Sequence, residues 1–241
     1  MITLYDMGPC SLPGIKGYSP YVRSIIYTLK YKHLPFNVSL VNWATIESTA
    51  KSIGAPPTST KLDGSPKYTV PFMHDTTTGR SVSDSLNIAE YLDQTYPNTR
   101  RVVPLGTRVF QAVFCDAIPH KFTPMIPVVL PAMRELGTPE VKQSLKEVYG
   151  EDPLFSLSPE EKEDAWNKGK QGFDELSRGY KEGDLFTMGD EPVFVDFLLA
   201  GTFWEQMLAL GKESAEWKKM ATWMGGRVGR LVQRAESMMT V

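Results

Sequence analysis

Two periods of hydrophobicity run along this chain, and one replaces the other near Pro97. Before that point, short strand-like runs alternate with stripes of helical spacing. "ITLY" (Ile2–Tyr5) reads as a strand. Val22, Ile25, Ile26 and Leu29 then fall at i, i+3, i+4 and i+7, which predicts an amphipathic helix. "FNVSLV" (Phe36–Val41) predicts a second strand, followed by a weakly helical stretch at Ile46–Ile53 and a polar, proline-bearing loop from Gly54 to Lys67. "PFMHD" and "RSVS" flank "TTTG", a hairpin pattern with Gly79 in the turn. A third helix begins near Ser83, spaces Ile88, Leu92 and Tyr96 at i, i+4 and i+8, and is ended by Pro97. One residue breaks the pattern. "KYTVPFMHD" (Lys67–Asp75) is strand-like, yet Pro71 sits inside it and cannot donate to a sheet ladder. Taken alone, that segment reads as an edge strand.

The predicted order, β-α-β-α-β-β-α, joins the first two strands in parallel through a crossover helix and makes the last two a hairpin. That is the thioredoxin arrangement, a mixed four-stranded sheet with helices on both faces. Residues 98–106 read as a linker between this unit (1–97) and a second one (107–241) in which strand alternation largely stops. Thr138-Pro139-Glu140 and Ser158-Pro159-Glu160-Glu161 are helix starts, the second a capping box between Ser158 and Glu161. "VDFLLAGTFWEQMLALG" predicts a buried helix stopped by Gly211, and Trp217 and Trp223 fall on a last helix. Internal repeats and low-complexity segments are absent.

Composition narrows the class. With 41% hydrophobic and 22% charged residues among 241, the chain has the makeup of an ordinary soluble globule. A net charge of −2 offers no footprint for nucleic acid or an anionic membrane, and no apolar run approaches the roughly 18–20 residues of a membrane span. Met1 is followed at once by strand-like residues, so no signal peptide is expected. Two cysteines, Cys10 and Cys115, do not make a disulfide framework and fit a reducing, cytoplasmic compartment. His33, His74 and His120 are scattered, so no metal is expected.

A thioredoxin-like unit followed by an all-helical one is a specific combination, and here the residues reach a family. "TVPFMHD", then "GRSVSDSLNIAEYLDQTYP", resembles the glutathione-binding segment of the cytosolic glutathione transferases: a Val-Pro, a hairpin, an acidic-Ser pair, then a helix of the form IxxYLxxxYP. The likeness is sharp over residues 19–30 and 67–97 and architectural after 105. "SPYVRSIIYTLKYKHLPF" and "AKSIGAPPTSTKLDGSPKYTVP" are similar to the fungal classes related to bacterial β-etherases.

The resemblance implies a role for Pro71. In that fold the proline before the third strand is cis, and the backbone of Val70 pairs with the cysteinyl part of glutathione as one added strand rung. "SDS" (Ser83–Ser85) reads by itself as a helix cap. The same physics makes an anion site, because a helix N-terminus offers free N–H groups and a positive dipole end. The resemblance places the γ-glutamyl carboxylate of glutathione on Ser85 and its ammonium group on Asp84.

Ser19, followed by Pro20, reads as the N-cap of the first helix. Serine-type members of the family keep their thiol-activating hydroxyl at this position. Ser19 is therefore the expected activator, with Ser24 and Tyr18 in reserve. Cys10, were it the reactive group, would shift the chemistry to thiol exchange. Among Lys51, Lys61 and Lys67, Lys67 is preferred for the glycyl carboxylate.

Three features depart from the family pattern. The loop between the first strand and Ser19 is long, with three glycines and two prolines from Gly8 to Gly17, and implies an enlarged acceptor pocket. The buried helix carries Asp196 at its third position but Val193 where a hydroxyl cap is expected, so Asp196 should pair with backbone donors. Pro119, Pro124, Pro127 and Pro131 should bend or break the first helix of the second unit. That helix should line the electrophile site through Phe114. The resemblance thus implies a homodimeric, cytoplasmic glutathione transferase acting on hydrophobic aromatic molecules, by conjugation or aryl-ether cleavage. The alternative is a non-catalytic carrier of glutathione or aromatic ligands with the same fold.

Overall fold

In the computed structural model, which describes residues 1–149 and 157–240, the two periodicities become two packed units. The first contains β1 (Ile2–Met7), α1 (Pro20–Tyr31), β2 (Phe36–Val41), α2 (Ile46–Ser52), a small ribbon of β3 (Ser59–Thr60) and β4 (Pro66–Lys67), the hairpin β5 (Phe72–Asp75) and β6 (Arg80–Ser83), and α3 (Ser85–Thr95). The main sheet has the order β2-β1-β5-β6. β1 and β2 run parallel with Leu4 opposite Val38, and β5 runs antiparallel to both neighbours. The fold is the expected thioredoxin-like one. The ribbon was not foreseen, because two-residue strands lie inside what reads as polar loop. Val70 and Pro71 precede β5 rather than belonging to it, and the Val70–Pro71 peptide is cis.

The second unit is helical: α4 (Arg108–Phe122), α5 (Ile126–Arg134), α6 (Pro139–Tyr149), α7 (Pro159–Ser177), α8 (Phe194–Leu210), α9 (Ala215–Ala221) and α10 (Trp223–Ser237). The proline run does break the first helix: Thr123–Met125 form a single 3-10 turn between α4 and α5. The capping box at α7 is present, with Ser158 N donating to Glu161 at 2.7 Å and Glu161 N to the Ser158 hydroxyl at 3.1 Å. Trp217 lies on α9 and Trp223 opens α10, and both stand before the kink that divides this last helical stretch. Met224, Gly225 and Gly226 all take positive φ (55°, 65° and 76°) and turn the chain just after Trp223.

Asp196 substitutes for the missing cap. Its carboxylate accepts from Val193 N at 2.9 Å, Thr187 N at 2.8 Å and the Thr187 hydroxyl at 2.6 Å. The preceding loop thus supplies the hydroxyl that position 193 lacks.

α8 is the central post, apolar on all sides and packed against α1. The approach is close because position 201 is glycine: a Cβ there would collide with the Pro20 carbonyl oxygen and stand 3.3 Å from Ser24 N. α8 therefore fixes the first turn of α1. A second tie joins the unit's end to the linker. Lys32 Nζ lies 2.7 Å from Asp93, both side chains fully buried, and Asp93 also accepts from Val102 N (3.0 Å) and Val103 N (2.7 Å).

Candidate active site

Ser19 caps α1 with an extended backbone, and its hydroxyl accepts from Val22 N at 3.4 Å. Pro20 follows at the first helical position, where no N–H is needed. Ser19 is held from behind by the sheet: its N–H donates to Asp6 Oδ1 at 3.2 Å. That bond requires Gly17, since a Cβ there would run into the Asp6 carboxylate. The Ser19 hydroxyl donates no hydrogen bond among the described residues, and it stands at the positive end of α1.

The cis Val70–Pro71 segment faces the same space. The Pro71 carbonyl accepts from Asp84 N at 3.2 Å, which couples this segment to the start of α3. Asp84 adopts φ 75°, a left-handed conformation that is uncommon for a residue with a side chain. There its Oδ1 caps α3, accepting from Leu86 N and Asn87 N at 3.1 Å each. Ser85 is buried, and its hydroxyl makes no hydrogen bond among the described residues. Ser19, Val70, Pro71, Asp84 and Ser85 all line one cleft of about 540 Å³ between the two units. Two helix N-termini, those of α1 and α3, open into it.

The opposite wall comes from the helical unit: Ile118, Pro119 and Phe122 of α4, Ile126 and Met133 of α5, Leu198, Thr202, Glu205 and Gln206 of α8. Phe114 is not in this wall. It packs partly buried against the core, and Ile118 and Phe122, one and two turns further along α4, hold the place expected of it. The physical reason is the proline break, which brings the C-terminal end of α4 over the cleft.

Lys67 lies exposed on β4, outside the wall, two residues before Thr69, which is part of it. Lys51 and Lys61 both pair with Glu47, at 2.7 and 3.3 Å. Ser24 is turned into its own helix, donating to the Tyr21 carbonyl at 2.6 Å, so it does not reach the cleft. Tyr18 lines the cleft, but burial raises its phenol pKa further above the ordinary value and keeps it neutral. Cys10 is buried, absent from the cleft wall, and its thiol is pushed up by burial, which suppresses the reactive thiolate. The long loop is pinned to the helical unit rather than draped over the cleft: Ser11 N donates to Leu136 O at 2.7 Å, and Ser11 Oγ to Glu135 O at 2.7 Å.

The sequence reading missed Asp6 and the Glu205–Gln206 pair. Glu205 is the lone acid after Asp196 in a largely apolar helix, and that isolation was the available signal. Burial pushes the Asp6 carboxyl up to about 7 and Glu205 up to about 8.

The N-terminal domain model of the glutathione S-transferases matches residues 16–100, and the C-terminal domain model matches residues 109–237. No curated protein matches the chain. Among solved structures, a glutathione S-transferase of Ceriporiopsis subvermispora in complex with glutathione is 33% identical, with a TM-score of 0.89 over 100% of this chain and 98% of its own. Glutathione transferase GSTFuA3 of Phanerochaete chrysosporium is 30% identical, with a TM-score of 0.87 over 98% of this chain and 96% of its own.

Proposed function

Since the chain belongs to the glutathione S-transferase family, we propose that its cleft binds glutathione along the Val70–Pro71 and Asp84–Ser85 wall and that Ser19 activates the thiol for attack on a hydrophobic aromatic electrophile. One observation carries this reading: the capping hydroxyl of α1, the cis Pro71 segment and the N-terminus of α3 share one cleft. Val70 offers backbone groups for the cysteinyl unit. Ser85 and the α3 N-terminus take the γ-glutamyl carboxylate, and Asp84 Oδ2 takes the ammonium group. Lys67, exposed on β4 two residues before Thr69 of the wall, is the cation assigned to the glycyl carboxylate.

An unperturbed thiol has a pKa of about 8.5, so only a few per cent is ionised at neutral pH. A hydroxyl donor and a helix dipole both favour the charged form. The thiolate then faces an apolar wall of Ile118, Phe122, Ile126, Met133 and Leu198, with Trp43, Tyr18 and Tyr21 adding ring surfaces. That lining suits aromatic acceptors, for conjugation or aryl-ether cleavage, and the sequence resemblance to etherase-related fungal classes favours the same choice.

The protein acts as a cytoplasmic homodimer with free cysteines, its two domains divided at residues 98–106. Support for the dimer comes from an apolar face on α4, where Val109, Phe110 and Val113 are 69%, 77% and 66% exposed. Sedimentation equilibrium at twice the chain mass is the expected result, and a monomer at micromolar concentration contradicts it. Product analysis with glutathione and a panel of aryl halides and α-aryloxy ketones tests the activity. Glutathione adducts are expected. Saturable binding of glutathione and of the aromatic compounds without any adduct would assign the protein as a carrier instead.

A further inference from the structure

The helical wall of the cleft carries one carboxyl group with no countercharge. Glu205 is only 7% exposed, and no Lys or Arg pairs with it among the described residues. The groups that face it are Asp6 on β1, Tyr18 ahead of α1 and Tyr21 on α1, none of them a cation. α5 presents Met133 to this part of the cleft. The nearby Arg23 is turned away, over the Trp204 ring at 4.2 Å and onto Glu236. A carboxylate so placed lacks both water and a partner, and the neutral acid is the form its surroundings favour.

Glu205 Oε2 lies 3.3 Å from the Gln206 side-chain amide, whose own oxygen is buried with no hydrogen-bond partner among the described residues. Oε1 has no hydrogen-bond partner among the described residues, although Glu205 lines the cleft. The Gln206 amide is held in turn by the Met133 sulfur at 3.6 Å. A neutral acid able to donate a proton therefore lines a largely apolar cleft whose wall also carries Ser19.

We propose that Glu205 is the hydrogen-bond and proton donor for an oxygen atom of the electrophile, and that it selects acceptors whose reacting carbon is conjugated to a carbonyl. This rests on the transferase reading above. In the step, the thiolate lone pair forms the C–S bond and the C=C π pair shifts to the carbonyl oxygen. That oxygen takes the Glu205 proton, and the enol tautomerises to the ketone. Water reprotonates the carboxylate, balancing the proton released when the thiol ionised. Burial and the neighbouring Asp6 push the Glu205 carboxyl up to about 8, so it is mostly protonated at neutral pH and loses its proton above that value.

The test compares kcat/KM for benzylideneacetone, an aryl enone, with that for benzyl chloride, which has no oxygen, in wild type, Glu205→Gln and Glu205→Leu. The expected result is a fall of about 100-fold in the enone-to-chloride ratio for Glu205→Leu, the usual scale of a positioned proton donor, and a smaller fall for Glu205→Gln, whose amide still donates. The wild-type enone profile declines above about pH 8, and that limb is absent in both variants. An unchanged ratio in both variants overturns the proposal while leaving the transferase reading standing, and so does a proportional loss with both electrophiles. Turnover of neither electrophile by wild type overturns the two together.

Discussion

Asp93→Ala lowers the unfolding free energy by about 3–5 kcal/mol, the cost typical of removing one partner from a buried ion pair. The substitution leaves Lys32 Nζ charged in a site where its side chain is fully buried. Lys32 keeps only the Arg100 carbonyl, at 2.8 Å, as an acceptor. Val102 N and Val103 N lose their acceptors at the same time. Lys32→Met is expected to cost less, because Asp93 retains those two N–H donors. Urea unfolding of the two variants checks both statements. A loss below about 1 kcal/mol for Asp93→Ala would put the pair in the class of exposed salt bridges and contradict its assigned role. The consequence extends to architecture, since this pair fastens α1 and α3 to the linker that leads into the helical unit.

Gly201→Val is the second large effect, and it acts on stability and activity together. The added Cβ meets the backbone of Pro20 rather than a flexible side-chain end, so α1 or α8 has to move. Overpacking of this kind costs about 1–3 kcal/mol. Valine's better helix propensity than glycine's offsets only a few tenths of a kcal/mol of that. The first turn of α1 carries Ser19, and a displacement of about 1 Å at a reacting group is enough to lower turnover about 100-fold. The expected outcome is a folded but less stable protein with strongly reduced kcat. Wild-type turnover in this variant would mean that the close packing of α8 on α1 does not position the hydroxyl.

What the sequence disclosed followed the strength of each local signal. Val22, Ile25, Ile26 and Leu29 declared α1 because a buried stripe must repeat with the helical period. Phe36–Val41 and the Ser158–Glu161 box were legible for equally local reasons. Val70, Pro71, Asp84 and Ser85 were readable as a group because their spacing follows a family pattern, and the structure brings them and Ser19 to one cleft. Other features depend on contacts distant in sequence. Asp6 looks like an ordinary strand residue until Gly17 and Ser19 fold over it. Phe114 shares a helical stripe with Ile118 and Phe122, and periodicity alone does not say which turn faces the cleft. The kink just after Trp223 includes left-handed Met224, a conformation that side-chain pattern does not announce. Glu205 was hidden by a helix whose apolar neighbours dominate its reading.

Whether Ser19 ionises the bound thiol is read most directly from the pKa of glutathione's thiol in the complex. Ultraviolet absorbance of the thiolate, titrated against pH in wild type and Ser19→Ala, reads that value. The cap is lost in the variant, at a cost of about 1 kcal/mol, so measurement is made where both proteins are folded. The expected thiol pKa lies about one to two units below its free value of about 8.5 in wild type and returns toward that value in Ser19→Ala. An equal depression in both proteins would contradict it and move the activating role to another group in the cleft.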